Sequence, residues 1–148
     1  MQLITNVRPI KLSLLFILVA LISACTPTNP GGIVVKDQAE FARAVADAKP
    51  GDVIKLADGT WNDFEILFTG TGEADKPIRL TAETKGKVFI TGQSNLRLAG
   101  EYLEVSGLIF KDGYTPTLQV ISFRRDKKSL ANNSRVTEVV IDNFSNPE

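Results

Sequence analysis

DVIKLADGTWNDFEILFTGTGEADKPIRLTAETKGKVFITGQSNLRLAGEYLEVSGLIFKDG, residues 52–113, is the stretch whose reading decides the fold. Brief apolar runs at 53–56, 64–68, 78–81, 88–90, 96–98, 102–105 and 108–110 alternate with Gly, Asp and Asn. No helical period intervenes. Many short strands with regular punctuation predict a β-sandwich, a barrel or a β-solenoid. Phe64, Ile66 and Phe68 alternate along one run, and Pro77 opens another, where a missing N–H costs least. Asp58-Gly59-Thr60 and Asp112-Gly113 read as turns by backbone preference. The choice among the three architectures matters because a solenoid presents a long flat face suited to a polymer.

On the N-terminal side of this stretch the pattern predicts the one convincing helix downstream of residue 32. Asp37 can act as N-cap with Glu40 three residues on, an aspartate variant of the capping box. Phe41, Ala44, Val45 and Ala48 then share one face, and Pro50-Gly51 stops the helix. A helix placed before all the strands can cover the open first edge of a stack of sheets. On the C-terminal side, 118–123 and 136–141 read as strands, separated by a charged loop at 124–134. YLEVSGLIF (102–110) and EVVIDNF (138–144) look alike when Leu103 is set on Val139, Val105 on Ile141 and Gly107 on Asn143. Such self-similarity favours a repeat architecture; the competing reading is a sandwich whose strands are alike only in composition.

The first 24 residues stand apart. Arg8 and Lys11 precede an apolar run at 12–22, too short to cross a hydrocarbon core of about 30 Å, and small residues follow it. That is the pattern of a secretory signal. The run ends Ile22-Ser23-Ala24-Cys25, which resembles a bacterial lipobox. The expectation is a lipoprotein signal at 1–24, with Cys25 lipidated, exported and anchored to the cell envelope. Thr26 rather than Asp after that cysteine resembles the pattern of lipoproteins sent on to the outer membrane. Cys25 is the single cysteine, so no internal disulfide is possible. Residues 25–32, CTPTNPGG, read as a flexible tether, which places the folded part at 33–148.

Composition narrows the chemistry. The chain has 17 Lys+Arg and 17 Asp+Glu, and removing Arg8 and Lys11 with the signal leaves a slight acidic excess. Nucleic acid is not an expected partner, since a general binder needs a basic footprint. There is no histidine, which removes Ser-His-Asp and Cys-His catalysis and every imidazole metal site. No Walker-type loop or dinucleotide fingerprint is present. Catalysis by such a chain must use Lys, Arg, Tyr or carboxylates, with a hard cation bound by oxygen as a possible aid. Asp58, Asp63, Glu65, Glu104, Asp112 and Asp142 read as structural, Glu104 facing outward between Leu103 and Val105. Trp61 reads as a packing residue rather than a sugar platform. The basic cluster Arg124, Arg125, Lys127 and Lys128 is the one candidate contact for a polyanion such as an acidic polysaccharide, with Arg124 and Arg125 nominated.

Taken together, Lys49-Pro50-Gly51-Asp52, Ala57-Asp58-Gly59-Thr60-Trp61, Pro77-Ile78, 86–92 (GKVFITG), 98–103 (LAGEYL) and 107–113 (GLIFKDG) resemble polysaccharide lyase family six, the group of chondroitinase B and the alginate lyases. The ending at 135–147, RVTEVVIDNFSNP, is closer to the alginate branch. The resemblance covers about residues 34–148. It implies an all-β fold, a right-handed parallel β-helix with an N-terminal capping helix. It also implies β-elimination on uronate polymers: alginate, polymannuronate above all, with dermatan or chondroitin sulfate as other members' substrates.

In that chemistry a proton must leave the carbon next to a carboxylate, whose charge makes it reluctant. Ca²⁺ can neutralise the carboxylate, a Lys can take the proton and an Arg can assist the leaving oxygen. The family's base, acid and calcium ligands lie in later coils. The expectation is therefore an N-terminal portion, truncated after the first few turns and inactive alone. No catalytic, cofactor-binding or metal residue is assigned within it, and Ca²⁺ is expected only in the full-length protein. The residues 143–148, NFSNPE, follow an apolar strand without the polar cap a solenoid end needs, which fits the same expectation. The rival reading is a non-catalytic β-helical surface lipoprotein that binds polysaccharide or protein.

Overall fold

A computed structural model of the chain describes residues 31–146. The signal, Cys25 and most of the tether lie outside the described residues. Thirteen strands and one helix follow in the order β1 (Ile33–Val35), α1 (Gln38–Asp47), β2 (Val53–Leu56), β3 (Gly59–Asn62), β4 (Glu65–Thr71), β5 (Ile78–Ala82), β6 (Val88–Gln93), β7 (Asn95–Glu101), β8 (Leu103–Ser106), β9 (Ile109–Tyr114), β10 (Ile121–Ser122), β11 (Ala131–Asn132), β12 (Arg135–Thr137) and β13 (Val140–Ser145).

The strands coil into a parallel β-solenoid of about three turns. Sheet A runs β1-β2-β5-β8-β12 and sheet B runs β3-β6-β9-β13, while in sheet C β7 pairs with β4 on one side and with β10 and β11 on the other. Every pairing between these strands is parallel. A sandwich of hairpins, the competing architecture, would need antiparallel ladders and is excluded.

The register stacks like on like. Ile54, Leu80, Val105 and Val136 form one inward column of sheet A. Trp61, Ile90, Phe110 and Ile141 form one of sheet B. Ile66, Leu96 and Ile121 form one of sheet C. Side-chain alternation along each strand puts these residues inside and their neighbours outside.

The corners repeat as well. Asp63, Gly92, Asp112 and Asn143 all adopt positive φ, of 52°, 66°, 50° and 47°, where the strands of sheet B bend. The same holds for Tyr102 and Asn133 between sheets C and A, and for Gly107 and Glu138 between sheets A and B. Asn, Asp and Gly tolerate this left-handed region best, and Asn143 Nδ2 donates to Asp112 Oδ1 at 2.9 Å from one coil to the next.

α1 closes the first coil as its sequence predicts. Asp37 Oδ1 accepts the Glu40 N–H at 2.7 Å, and Glu40 Oε2 accepts the Lys36 N–H at 2.8 Å, one residue earlier than a strict capping box requires. Phe41 is buried edge-on against Phe64, which stacks on Trp61. Ala44, Val45 and Ala48 pack beside it. Gln38 Nε2 donates to the carbonyls of Asn62 and Asp63 at 3.3 and 3.2 Å, supplying donors to the open edge of sheet B.

Five expectations need correction. Gly59 and Thr60 begin strand β3, and Asp112-Gly113 sits inside β9 as an irregularity where the register shifts between Ile90 and Gly92. The stretch 118–123 contributes only Ile121–Ser122, with Leu118 88% exposed. The stretch 136–141 is two strands broken at Glu138. The repeat register is also different: Val105 stacks on Val136 rather than Ile141, and Ile109 on Val140.

Candidate functional site

The inward faces are filled, so any site lies on the outward faces. Of the six carboxylates singled out by sequence, Asp58, Asp63, Glu65, Glu104 and Asp112 tie adjacent coils together, while Asp142 is exposed on β13. Asp58 Oδ1 accepts the Thr84 N–H at 2.9 Å, and Asp63 Oδ1 accepts the Gln93 N–H at 2.8 Å. Glu65 pairs with Arg97 at 3.3 Å. Glu104 bridges Arg79 at 2.9 Å and Arg135 at 2.8 Å in a vertical ladder across three coils of sheet A. Asp112 is held below the usual carboxylate range by the Asn143 amide first and Lys111 second. Among the described residues no three acidic or thiol groups come together to hold a metal ion.

Trp61 is buried and donates its Nε1–H to Ala57 O at 3.0 Å, a packing residue as its sequence context suggests. Tyr114 is partly exposed and its hydroxyl donates to Gln93 Oε1 at 3.2 Å.

The outer face of sheet C carries a groove of about 440 Å³. It forms because the chain leaves sheet C after β10 and re-enters at β11, so that residues 123–130 project as a detour. Thr69, Gly70, Ala99 and Gly100 make the floor; Arg125, Lys128, Ser129, Leu130 and Asn132 make the wall. The floor is low for a steric reason. Gly70 and Gly100 are in register, and a Cβ on Gly100 would collide with Gly70 O. Only a residue without a side chain fits there.

The detour is tied to itself. Arg124 and Leu130 bridge in antiparallel fashion, and the Arg125 N–H donates to Ser129 O at 2.9 Å. Asp126 accepts the Lys128 N–H at 2.8 Å, the Ser129 N–H at 2.9 Å and the Arg125 Nε–H at 3.0 Å. The Lys128 amide, then the Arg125 guanidinium and Ser129, hold the Asp126 carboxyl down to about 2. Of the two nominated cations, Arg125 lines the groove and Arg124 does not. Lys128, from the same basic cluster, lines it and makes no ion pair among the described residues. The floor escaped sequence reading, although ILFTGT (66–71) and LRLAGE (96–101) carry it as two matching segments in adjacent coils.

A smaller groove of about 300 Å³ on sheet A runs along Arg79, Glu104 and Arg135 beside the hydroxyls of Thr81, Ser106 and Thr137. Glu104 offsets its two guanidinium groups, which leaves this face less attractive to an anion than the detour.

Comparison with known proteins gives a consistent result. The chondroitinase B family profile matches residues 35–148. Among solved structures, the PL6 family alginate lyase AlyGC is 64% identical with a TM-score of 0.77, the match covering 79% of this chain and 16% of that one. The PL6 family polysaccharide lyase Pedsa3628 from Pseudopedobacter saltans is 34% identical with a TM-score of 0.64, over 74% of this chain and 24% of that one. A mannuronic acid specific polysaccharide family 6 lyase from human gut microbiota is 32% identical with a TM-score of 0.66, over 74% and 26%. No curated protein matches. The chain thus spans a small fraction of the length of the lyases it resembles.

Proposed function

This chain belongs to polysaccharide lyase family six, the family of chondroitinase B, and on that premise we propose that it forms the N-terminal coils of an enzyme that cleaves uronate polymers by β-elimination. The substrate is alginate, polymannuronate in particular. The single observation that carries this reading is the 64% identity to an alginate lyase over the coils described above. The mannuronic acid specificity of a second relative points the same way. These coils contribute shape rather than bond breaking: Asp58, Asp63, Glu65, Glu104 and Asp112 are committed to hydrogen bonds and ion pairs between coils, and the base, acid and Ca²⁺ of the reaction belong to other coils of a longer polypeptide. The chain by itself is inactive. A non-catalytic surface protein is the less favoured reading, since the relatives quoted above are described as lyases.

A chimera tests the proposal. This chain replaces the equivalent N-terminal coils of AlyGC, and the product is assayed with Ca²⁺ on polymannuronate and on dermatan sulfate. The expected result is unsaturated uronate, seen by its ultraviolet absorbance, from polymannuronate and not from this chain alone. A folded chimera that leaves polymannuronate intact sinks the reading, as does lyase activity in the isolated chain. We also propose that Cys25 is acylated and anchors the protein to the outer membrane, on the strength of the Ile22-Ser23-Ala24-Cys25 run. Mass spectrometry of the membrane fraction would show the lipid on Cys25, and Cys25→Ser would release the protein from that fraction.

A further inference from the structure

The geometry points to the groove between the floor of sheet C and the detour at 123–130 as a holding site for an acidic polysaccharide, made entirely by these coils and separate from bond cleavage. The inference rests on the reading of the chain as part of a uronate-polymer lyase and adds to it a place where the polymer is gripped.

The groove of about 440 Å³ falls in the range of roughly 300–1,000 Å³ typical of ligand sites. Its chemistry is mixed in a specific way. Lys128 offers a charge with no ion pair among the described residues, Arg125 is neutralised in part by Asp126, and Thr69, Thr71 and Asn132 offer neutral hydroxyl and amide partners. A uronate residue presents one carboxylate among several hydroxyls and matches that mixture. Leu130, half exposed at the wall, supplies an apolar contact for the C–H face of a sugar ring.

Two other polyanions fit less well. No aromatic side chain lines the groove, so nucleic-acid bases have nothing to stack on. Of the basic residues only Arg125 and Lys128 line the groove, fewer than the roughly four to eight clustered cations that an anionic membrane surface recruits.

The site is organised before a ligand arrives. Asp126 caps the turn, and Arg125 is fixed by Asp126 at 3.0 Å and by Ser129 Oγ at 3.0 Å. Little ordering is left to be done at binding, which favours affinity. Lys128 remains as the cation available to an incoming carboxylate. The glycine floor lets a chain lie close to the backbone of two adjacent coils, spaced about 4.8 Å apart.

Affinity electrophoresis of the full chain in gels containing polymannuronate tests this. Retardation is expected, and it should be lost in gels containing the carboxyl-reduced polymer. Lys128→Glu on the wall and Thr71→Glu on the β4 side should each weaken retardation by about tenfold, as for charge reversal at a contact. Lys87→Glu makes the same charge change on an exposed turn outside the groove and should leave retardation unchanged. The inference is overturned if both groove variants bind like the parent, or if Lys87→Glu weakens binding equally. It is also overturned if single-stranded DNA or phosphatidylserine vesicles bind as tightly with the same sensitivity to Lys128→Glu. Failure of the lyase reading looks different: the chimera leaves polymannuronate uncut while the groove variants still change its retention.

Discussion

At the first coil, Phe41 of α1 covers Phe64 and Trp61, and Gln38 supplies donors to the edge carbonyls of sheet B. At the last coil, Val140 and Ile141 are about half exposed and β12 and β13 each pair on one side only. The contrast within one column is sharper still. Ile90 and Phe110 are fully buried, yet Ile141, stacked on Phe110 in the same register, is 51% exposed. A residue in this fold is buried by the coil next to it, not by its own. Stability is therefore local, and identical chemistry has different worth at different heights along the stack.

The strongest way to break that comparison is to push two coils apart in the middle. Gly100→Ala drives a Cβ into Gly70 O at φ +126° and should cost more than about 3 kcal/mol in urea unfolding. Gly86→Ala, at φ +83° with open space around it, should cost only the backbone strain of about 1–2 kcal/mol. Equal costs would mean that coil spacing does not limit the fold.

Next comes truncation within columns. Leu80→Ala, fully buried between Ile54 and Val105, should cost about 2–5 kcal/mol. Ile141→Ala should cost less than about 1 kcal/mol, because half of its side chain already meets water. A large loss at Ile141 would show that the final coil is packed by something more than Phe110.

At the capped end, Asp37→Ala removes the acceptor of the Glu40 N–H and should cost about 1 kcal/mol. The accompanying signature is faster amide exchange in α1 and at the sheet B edge that Gln38 covers, with the last coil unchanged.

The smallest effect concerns the detour. Asp126 titrates at about 2 instead of 3.8. Its folded value is depressed, so its contribution to the turn is complete above 3.8 and is lost as pH falls through about 2. Amide exchange at Lys128 and Ser129 should quicken over that interval, while the buried columns remain protected.

The helix was legible because its signals are local: an Asp cap, a Glu three residues on, and Phe41, Ala44, Val45 and Ala48 on one face. Strands with a clear inward pair, such as Ile54 with Leu56 or Ile66 with Phe68, were legible for the same reason. Strands that carry a left-handed residue were not. Asp112-Gly113 is a turn signal in most contexts, but here positive φ at Asp112 bends a strand without ending it. The repeat register failed for a related reason. Val139, Val140 and Ile141 are all apolar, so either parity matches Val105, and only the ladder decides. The groove was half legible. Its basic cluster is plain in the sequence, but the choice of Lys128 over Arg124 depends on how Asp126 folds the turn. The floor depends on which coil lies beside which.

β7 carries two separate partners on one edge, β10 opposite Leu96 and β11 opposite Gly100, with residues 123–130 spliced between them. Because the chain comes back to the strand it left, what is inserted there can be longer, shorter or of different composition without moving any layer above or below. On the proposal that the detour grips polymer, the scaffold has a port at which recognition can be exchanged while the stacking rules stay fixed.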